Sequence, residues 1–362
     1  MKRLPQLDAL RAVAVLLVLG AHLTRYPVWV RFGWTGVNLF FVLSGFLISG
    51  LLFRDYKDTG TLHLKRFLIR RGFKIYPAYY LLLALTVAGF YIGGPAHRAV
   101  WRGVVMPAEW DHLWPDLLFL QNYCRGTWSH FWSLGVEEQF YVFLPVSLFL
   151  LARKTGSFRW VPVLAGVVML ACLALRALDV YTGWVHKMVG CWDFDALYFG
   201  VLLSYIREFY PERLTAFLRE NGHLLPPLSV VCLMPALLFE QHRPFMLVFG
   251  VTALYLGYGG LLLYAVALVR HDSWLVRGLR GIGNYSYSIY LYHMPVAWFS
   301  AAVLSERLHW ERNVIFALYV ATSIGIGIGM ARLIECPALR LRERLFPALK
   351  MRHEENEARA AV

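Results

Sequence analysis

The stretch Leu7–His22, LDALRAVAVLLVLGAH, sets an arginine and a histidine inside an otherwise hydrocarbon-like run. Read as a helix at ~100° and ~1.5 Å per residue, it separates Arg11 from His22 by about three turns, so both side chains share one face roughly 16 Å apart. Ionisable groups at membrane depth are costly unless partners or water meet them, and they mark sites. The plainer alternative is a snorkelling arginine and a histidine bonded to a neighbouring helix. Two such groups on one face favour a site.

The composition around this stretch sets the class. Of 362 residues, 58% are hydrophobic and 16% charged, with a mean hydropathy of +0.50. Windows of about twenty apolar residues fall at 8–24, 34–53, 75–94, 132–152, 158–178, 188–206, 223–240, 245–269, 283–304 and 313–334. The prediction is an all-α, polytopic membrane protein of ten spans. Met1-Lys2-Arg3 leads directly into the first window, which reads as a retained helix. With the N-terminus inside, 24 of the 36 lysines and arginines lie in cytoplasmic segments, so both termini are expected in the cytoplasm. The net charge of +13 is then an inner-leaflet and ligand effect, and nucleic-acid binding is not expected. The five cysteines have no CxxC pair or metal spacing, so neither a disulfide framework nor a metal site is expected.

This orientation assigns depths. Arg11 lies toward the cytoplasm and His22 near the external surface. Asn38 is external and Ser44 near mid-depth, in GVNLFFVLSGFLIS (36–49). Glu137 and Glu138 in WSLGVEEQFY (132–141), and Asp193 and Asp195 in CWDFDALYFG (191–200), occupy the outer half of inward-running spans, and His293 in YSYSIYLYHMP (285–295) lies near the middle. Acids and imidazoles from independent helices thus share an outer layer, as a reaction centre open to the outside requires. On the cytoplasmic side LKRFLIRRGFKIYP (64–77) gathers Lys65, Arg66, Arg70, Arg71 and Lys74. It reads either as a grip on anionic headgroups or as a site for a phosphate-bearing donor. The long external segment 95–131 holds Trp101, Trp110, Trp114, Tyr123 and Trp128, which suit stacking on a sugar or interfacial anchoring.

The strings at 7–22, 36–49, FLIRRGFKIYP (67–77), 132–141, FDALYFGVLLS (194–204) and GNYSYSIYLYHMPV (283–296) resemble, in order and spacing, the membrane-bound acyltransferase-3 family across about residues 4–345. The resemblance implies a bundle of about ten transmembrane helices in the bacterial cytoplasmic membrane. It also implies transfer of an acyl group, acetyl above all, from cytoplasmic acyl-CoA to a hydroxyl of an extracytoplasmic sugar or glycan. The family's Arg and His with ten residues between them fall on Arg11 and His22. Its cytoplasmic arginine pair falls on Arg71 and on Lys74, where most relatives carry arginine, so the charge is kept and the bidentate fork lost. Its buried acid falls on Glu137 or Glu138, with Glu137 favoured. Residues 1–345 would form the transmembrane domain and 346–362 a charged cytoplasmic tail, with no fused hydrolase-like domain expected.

Acyl transfer to an alcohol requires a base, an oxyanion donor and a means of holding two substrates together. His22 is the candidate base, oriented by Glu137 or an aspartate of the sixth span. Asn38, Ser44 or a tyrosine is the candidate oxyanion donor. Arg11, Arg70, Arg71 and Lys74 are the candidate donor-binding cations. A covalent acyl-serine at Ser44 is the alternative chemistry, although SGF equally serves helix contact. A secondary transporter and a non-catalytic partner of a polysaccharide assembly complex are the other function classes. No repeat-related halves support the first, and the second would need neither His22 nor the basic stretch. The sequence sets no oligomeric state.

Overall fold

The computed structural model describes residues 4–22, 26–92, 109–183, 193–269, 273–301 and 310–347. Lys2, Arg3, Trp101 and the tail from 348 onward lie outside the described residues, as do the first five positions of the window at 188–206. Among the described residues the chain is helical, with no strand.

In chain order the helices begin with α1 (Pro5–Ala21), the short α2 (Pro27–Phe32), α3 (Gly36–Thr59) and α4 (Leu64–Ile92). Next come α5 (Trp110–Leu117), α6 (Phe131–Thr155), α7 (Val161–Thr182) and α8 (Phe194–Phe209). They are followed by α9 (Pro211–Asn221), α10 (Leu225–Leu233), α11 (Pro235–Leu238) and α12 (Val251–Leu268). The last four are α13 (Trp274–Gly283), α14 (Ser286–Phe299), α15 (Arg312–Met330) and α16 (Cys336–Leu345). Among the described residues each of the ten apolar windows falls mainly on helix, and seven helical segments there are long and apolar enough to cross a membrane. The windows at 8–24, 188–206 and 283–304 correspond to α1, α8 and α14, of 17, 16 and 14 residues.

Helix α1 is the central post, touching α2, α3, α12, α13 and α14. Small residues permit this closeness. A Cβ on Gly283 at the end of α13 would stand 1.7 Å from the Asp8 carbonyl oxygen, so any larger residue would push the two backbones apart. A similar contact joins α3 to α8, where Cβ atoms on Gly45 and Gly200 would lie 1.9 and 2.3 Å from the carbonyls of Leu197 and Val42. Without a hydrophobic force between helices in lipid, such backbone approach supplies the dispersion that holds a bundle together.

The segment 110–130 folds into an ordered cap on α4 and α6. Asp116 Oδ2 accepts from the Thr127 amide at 2.8 Å and from its hydroxyl at 2.6 Å, while the Tyr79 hydroxyl donates to the Asp116 carbonyl at 2.9 Å. Phe119 takes a left-handed conformation, φ 55°, with its ring 4.5 Å from that of Tyr79, and Gln121 Nε2 donates to the Phe131 carbonyl at 2.8 Å. Trp128, a candidate sugar platform, is buried with its indole N–H on Thr86 at 2.8 Å. Trp110 and Tyr123 remain exposed.

Candidate active site

The outer-layer acid and the mid-depth serine meet. Ser44 Oγ on α3 donates to Glu137 Oε1 on α6 at 2.7 Å, and Tyr141, one turn further along α6, donates to Oε2 at 3.1 Å. Glu138 points to a different partner, accepting from Tyr76 of α4 at 3.2 Å, and its Oε1 is buried without a partner. Ser44, Glu137, Glu138 and Tyr141 line a cavity of about 110 Å³ to which α1 contributes Arg11, α4 Arg71 and Lys74, and α14 Tyr287 and Tyr290. One cavity thus brings together five of the sequence-selected charged residues, Arg11, Arg71, Lys74, Glu137 and Glu138, with Ser44, from four helices.

The cations around it differ in how they are engaged. Lys74 pairs with Glu335, whose other oxygen accepts from Ser288 at 2.8 Å. Arg70 turns away to Glu343 of α16, at 2.9 Å. Arg11 pairs with Asp8 at 3.4 Å, one turn earlier on α1. Arg71 makes no ion pair among the described residues, and its guanidinium lies over the rings of Phe67 and Tyr141 at 5.7 and 5.8 Å. A cation lining a cavity between aromatic faces is presented to a ligand anion.

His22 lies just past the end of α1, in extended conformation (φ −104°, ψ 148°), rather than on the helix as the spacing suggested. Its ring still folds back on α1, because Nδ1 lies 2.8 Å from the Val18 carbonyl. Against it stands His293, ring centroids 5.1 Å apart, and behind that His130, 5.0 Å from His293. His293 Nδ1 is 2.5 Å from the Tyr290 carbonyl and His130 Nε2 is 3.1 Å from the Leu291 carbonyl. A carbonyl only accepts, so each contacting ring nitrogen carries the proton and the opposite nitrogen presents a bare lone pair. For His293 Nε2 and His130 Nδ1 that lone pair is buried without a partner. For His22 it is Nε2, the form a general base needs.

Sequence reading missed His130. It stands two residues before the WSLGVEEQFY string, and its position as the residue entering α6 was the available signal. The cap residues Asp116, Thr127 and Gln121 deliver it. The imidazoles are not in the cavity wall itself. Tyr290 joins the two groups: it lines the cavity, its hydroxyl lies 2.5 Å from Ser133 Oγ and donates to the His130 carbonyl at 3.0 Å, and its ring is 5.5 Å from that of His293. Glu137 bonds Ser44 and Tyr141 and makes no hydrogen bond to His22, so the expected orienting contact is not made in this arrangement.

Three further candidates stand apart from the cavity. Asp195 of α8 forms a buried ion pair with Arg176 of α7 at 2.7 Å, and Arg176 also donates to Thr252 at 3.1 Å. Asp193 lies beside it at the start of α8, and neither aspartate lines the cavity. Counting along a span set a depth for these acids and no azimuth: Asp195 meets Arg176 of α7 rather than α6. Asn38 is buried on α3 with its carbonyl oxygen unpartnered, also outside the cavity wall. Removing one member of a buried pair strands the other charge, at about 3–5 kcal/mol. Asp195→Ala is therefore expected to lower the unfolding temperature in detergent sharply, and Arg176→Met/Asp195→Leu to recover most of the loss. Thermal scans of the purified variants check this.

Among the described residues no group of histidine, cysteine and acidic side chains is arranged to hold a metal ion. No solved structure matches the chain. Among curated proteins, it is 30% identical over 322 residues to a "Putative O-acetyltransferase" of Staphylococcus aureus (strain COL), covering 82% of this chain and 51% of the relative. It is 26% identical over 359 residues to the peptidoglycan O-acetyltransferase OatA of Listeria monocytogenes, covering 93% and 56%. A "Putative peptidoglycan O-acetyltransferase" of Bacillus subtilis is 29% identical over 344 residues, covering 86% and 51%. The chain thus spans about half the length of the curated relatives it matches. The model of the acyltransferase domain family, acyltransferase-3, matches residues 4–332. With that match over nearly all of the helical bundle, the chain belongs to the acyltransferase-3 family of multi-pass membrane proteins.

Proposed function

We propose that this protein is an O-acyltransferase that takes an acyl group, acetyl above all, from cytoplasmic acyl-CoA and transfers it to a hydroxyl of an extracytoplasmic sugar. Peptidoglycan and related surface glycans are the acceptor class, in line with the names of the Listeria and Bacillus relatives. The observation that carries the reading is one cavity into which Arg11, Arg71 and Lys74 reach and which abuts, through Tyr290, three imidazoles with bare nitrogens.

In this reading Arg71 meets the phosphates of the donor and Arg11 the polar arm behind the thioester. His22 Nε2 takes the proton of the acceptor hydroxyl as its oxygen adds to the thioester carbon. The C–S bond then breaks, and the proton on His22 passes to the leaving thiolate. Tyr290 and Ser133 are hydroxyls at the junction of cavity and imidazoles, and a proton turned from the His130 carbonyl would serve the developing oxyanion. Ser44 is engaged as a donor to Glu137, which favours direct transfer over an acyl-serine.

Both termini and the basic stretch lie on the cytoplasmic side in this scheme, so donor and acceptor enter from opposite faces. Oriented proteoliposomes test it. Acyl-CoA supplied on the face bearing the 64–77 stretch is expected to be consumed, with the acyl group recovered on a glycan fragment supplied on the other. Equal consumption from either face would contradict the scheme, and a transporter or a non-catalytic partner would break no thioester.

A further inference from the structure

Arg70, directly before Arg71 in α4, meets the last helix in an unusual way. Its Nη2 donates to Glu343 Oε1 at 2.9 Å and its Nη1 to Oε2 at 3.2 Å, a bidentate contact. The same carboxylate accepts from Arg342, through Nε at 3.1 Å and through Nη2. Two guanidinium forks therefore converge on a single carboxylate. The three groups are not held equally. Arg70 also donates to the Phe346 carbonyl, and Arg342 Nη1 to the Arg70 carbonyl at 3.5 Å, so backbone contacts locate both cations without the glutamate. Their side chains are 24% and 21% exposed, whereas Glu343 is 44% exposed and its carboxylate is bonded to those arginines.

The bidentate geometry raises this contact above the ~0–1 kcal/mol of an ordinary surface ion pair, but Glu343, 44% exposed, regains water when a competing anion displaces it. A phosphate offers three acceptor oxygens and up to two negative charges to the same pair of forks, which the single charge of Glu343 leaves with an excess positive charge. We propose that Arg70 and Arg342 form a clamp for a phosphate group, closed in the free protein by Glu343, which the incoming phosphate displaces. Resting on the acyl-CoA reading above, the clamp takes the phosphate at the nucleotide end of the donor, with Arg71 one residue further along α4 leading into the cavity. An anionic lipid headgroup presents the same chemistry and is the other source.

The test is calorimetric binding of adenosine 3′,5′-bisphosphate, the nucleotide end of CoA, to the full chain in neutral detergent. Glu343→Gln keeps the shape and removes the competing charge, and is expected to tighten binding by about 3–10-fold. Arg342→Ala is expected to weaken it by about tenfold, the loss of one charge-assisted contact, with Arg342→Lys in between. A second arm uses nanodiscs with and without phosphatidylglycerol. If the two substitutions shift affinity for that lipid in the same directions and leave the nucleotide unchanged, the clamp stands and its phosphate is a headgroup. If neither ligand responds to either substitution in protein that unfolds at the wild-type temperature, the clamp is overturned and the three residues only tie α16 to α4. Acyl-CoA turnover by that same unresponsive protein would show that the donor reading survives the failure of the clamp.

Discussion

His22→Ala is expected to lower acyl transfer by about 100-fold or more, the usual loss when a general base is removed. The expectation rests on geometry: Nδ1 is committed to the Val18 carbonyl, so Nε2 is the bare nitrogen, and the ring stands against His293 at the C-terminal end of α1. The substitution falls beyond the helix terminus, where it removes no buried ion pair, so expression and acyl-CoA affinity should change little. Single-turnover rates with saturating acyl-CoA check it, because they report the chemical step apart from binding. Near-normal transfer by a well-expressed His22→Ala protein would remove His22 as the base.

The second large effect is expected at Arg71. Its guanidinium lines the cavity between Phe67 and Tyr141 without an ion pair among the described residues, so a ligand phosphate is its natural partner. Arg71→Ala should raise the apparent acyl-CoA constant by about tenfold or more, the contribution of a charge-assisted contact, with a smaller effect on the saturated rate. Lys74 behaves differently because Glu335, itself buried, already holds it. Lys74→Arg keeps that pair and should leave the constant unchanged or lower it. Lys74→Ala strands the glutamate, at about 3–5 kcal/mol, and should appear as lost yield and a lower unfolding temperature. Titration in neutral detergent separates donor recognition from headgroup anchoring: an unchanged acyl-CoA affinity in Arg71→Ala would place the donor site elsewhere.

The residue types of the site were legible before the fold. Arg11, Ser44, Glu137 and Glu138 stand out for polarity at membrane depth, Arg71 and Lys74 as members of the basic cytoplasmic stretch, and one cavity contains all six. Hydropathy fixes depth because desolvation depends on distance along the bilayer normal, and that coordinate follows from counting residues along a helix. Azimuth follows no such count. Counting along the spans assigns Asp195 to the same layer as Glu137, yet it meets Arg176 across α7 and α8. Glu137 was expected beside His22 and instead bonds Ser44 and Tyr141.

By itself, the sequence determined an all-helical membrane protein, the ten apolar segments and the residue types a reaction centre needs, since apolar length and the cost of burying charge are properties of the chain alone. The tertiary structure decided which polar groups face one another. It ended α1 at Ala21 and left His22 as an extended cap, used backbone carbonyls to set the tautomers of three histidines, and brought in His130 on a loop tied by Asp116 and Thr127. It also occupied Lys74 and Arg70 with acids some 260–270 residues away while leaving Arg71 without an ion pair among the described residues. The reason is that partner choice depends on how helices rotate and cross, which is set by close backbone contacts such as those at Gly45, Gly200 and Gly283, and no count along one helix encodes the rotation of its neighbour.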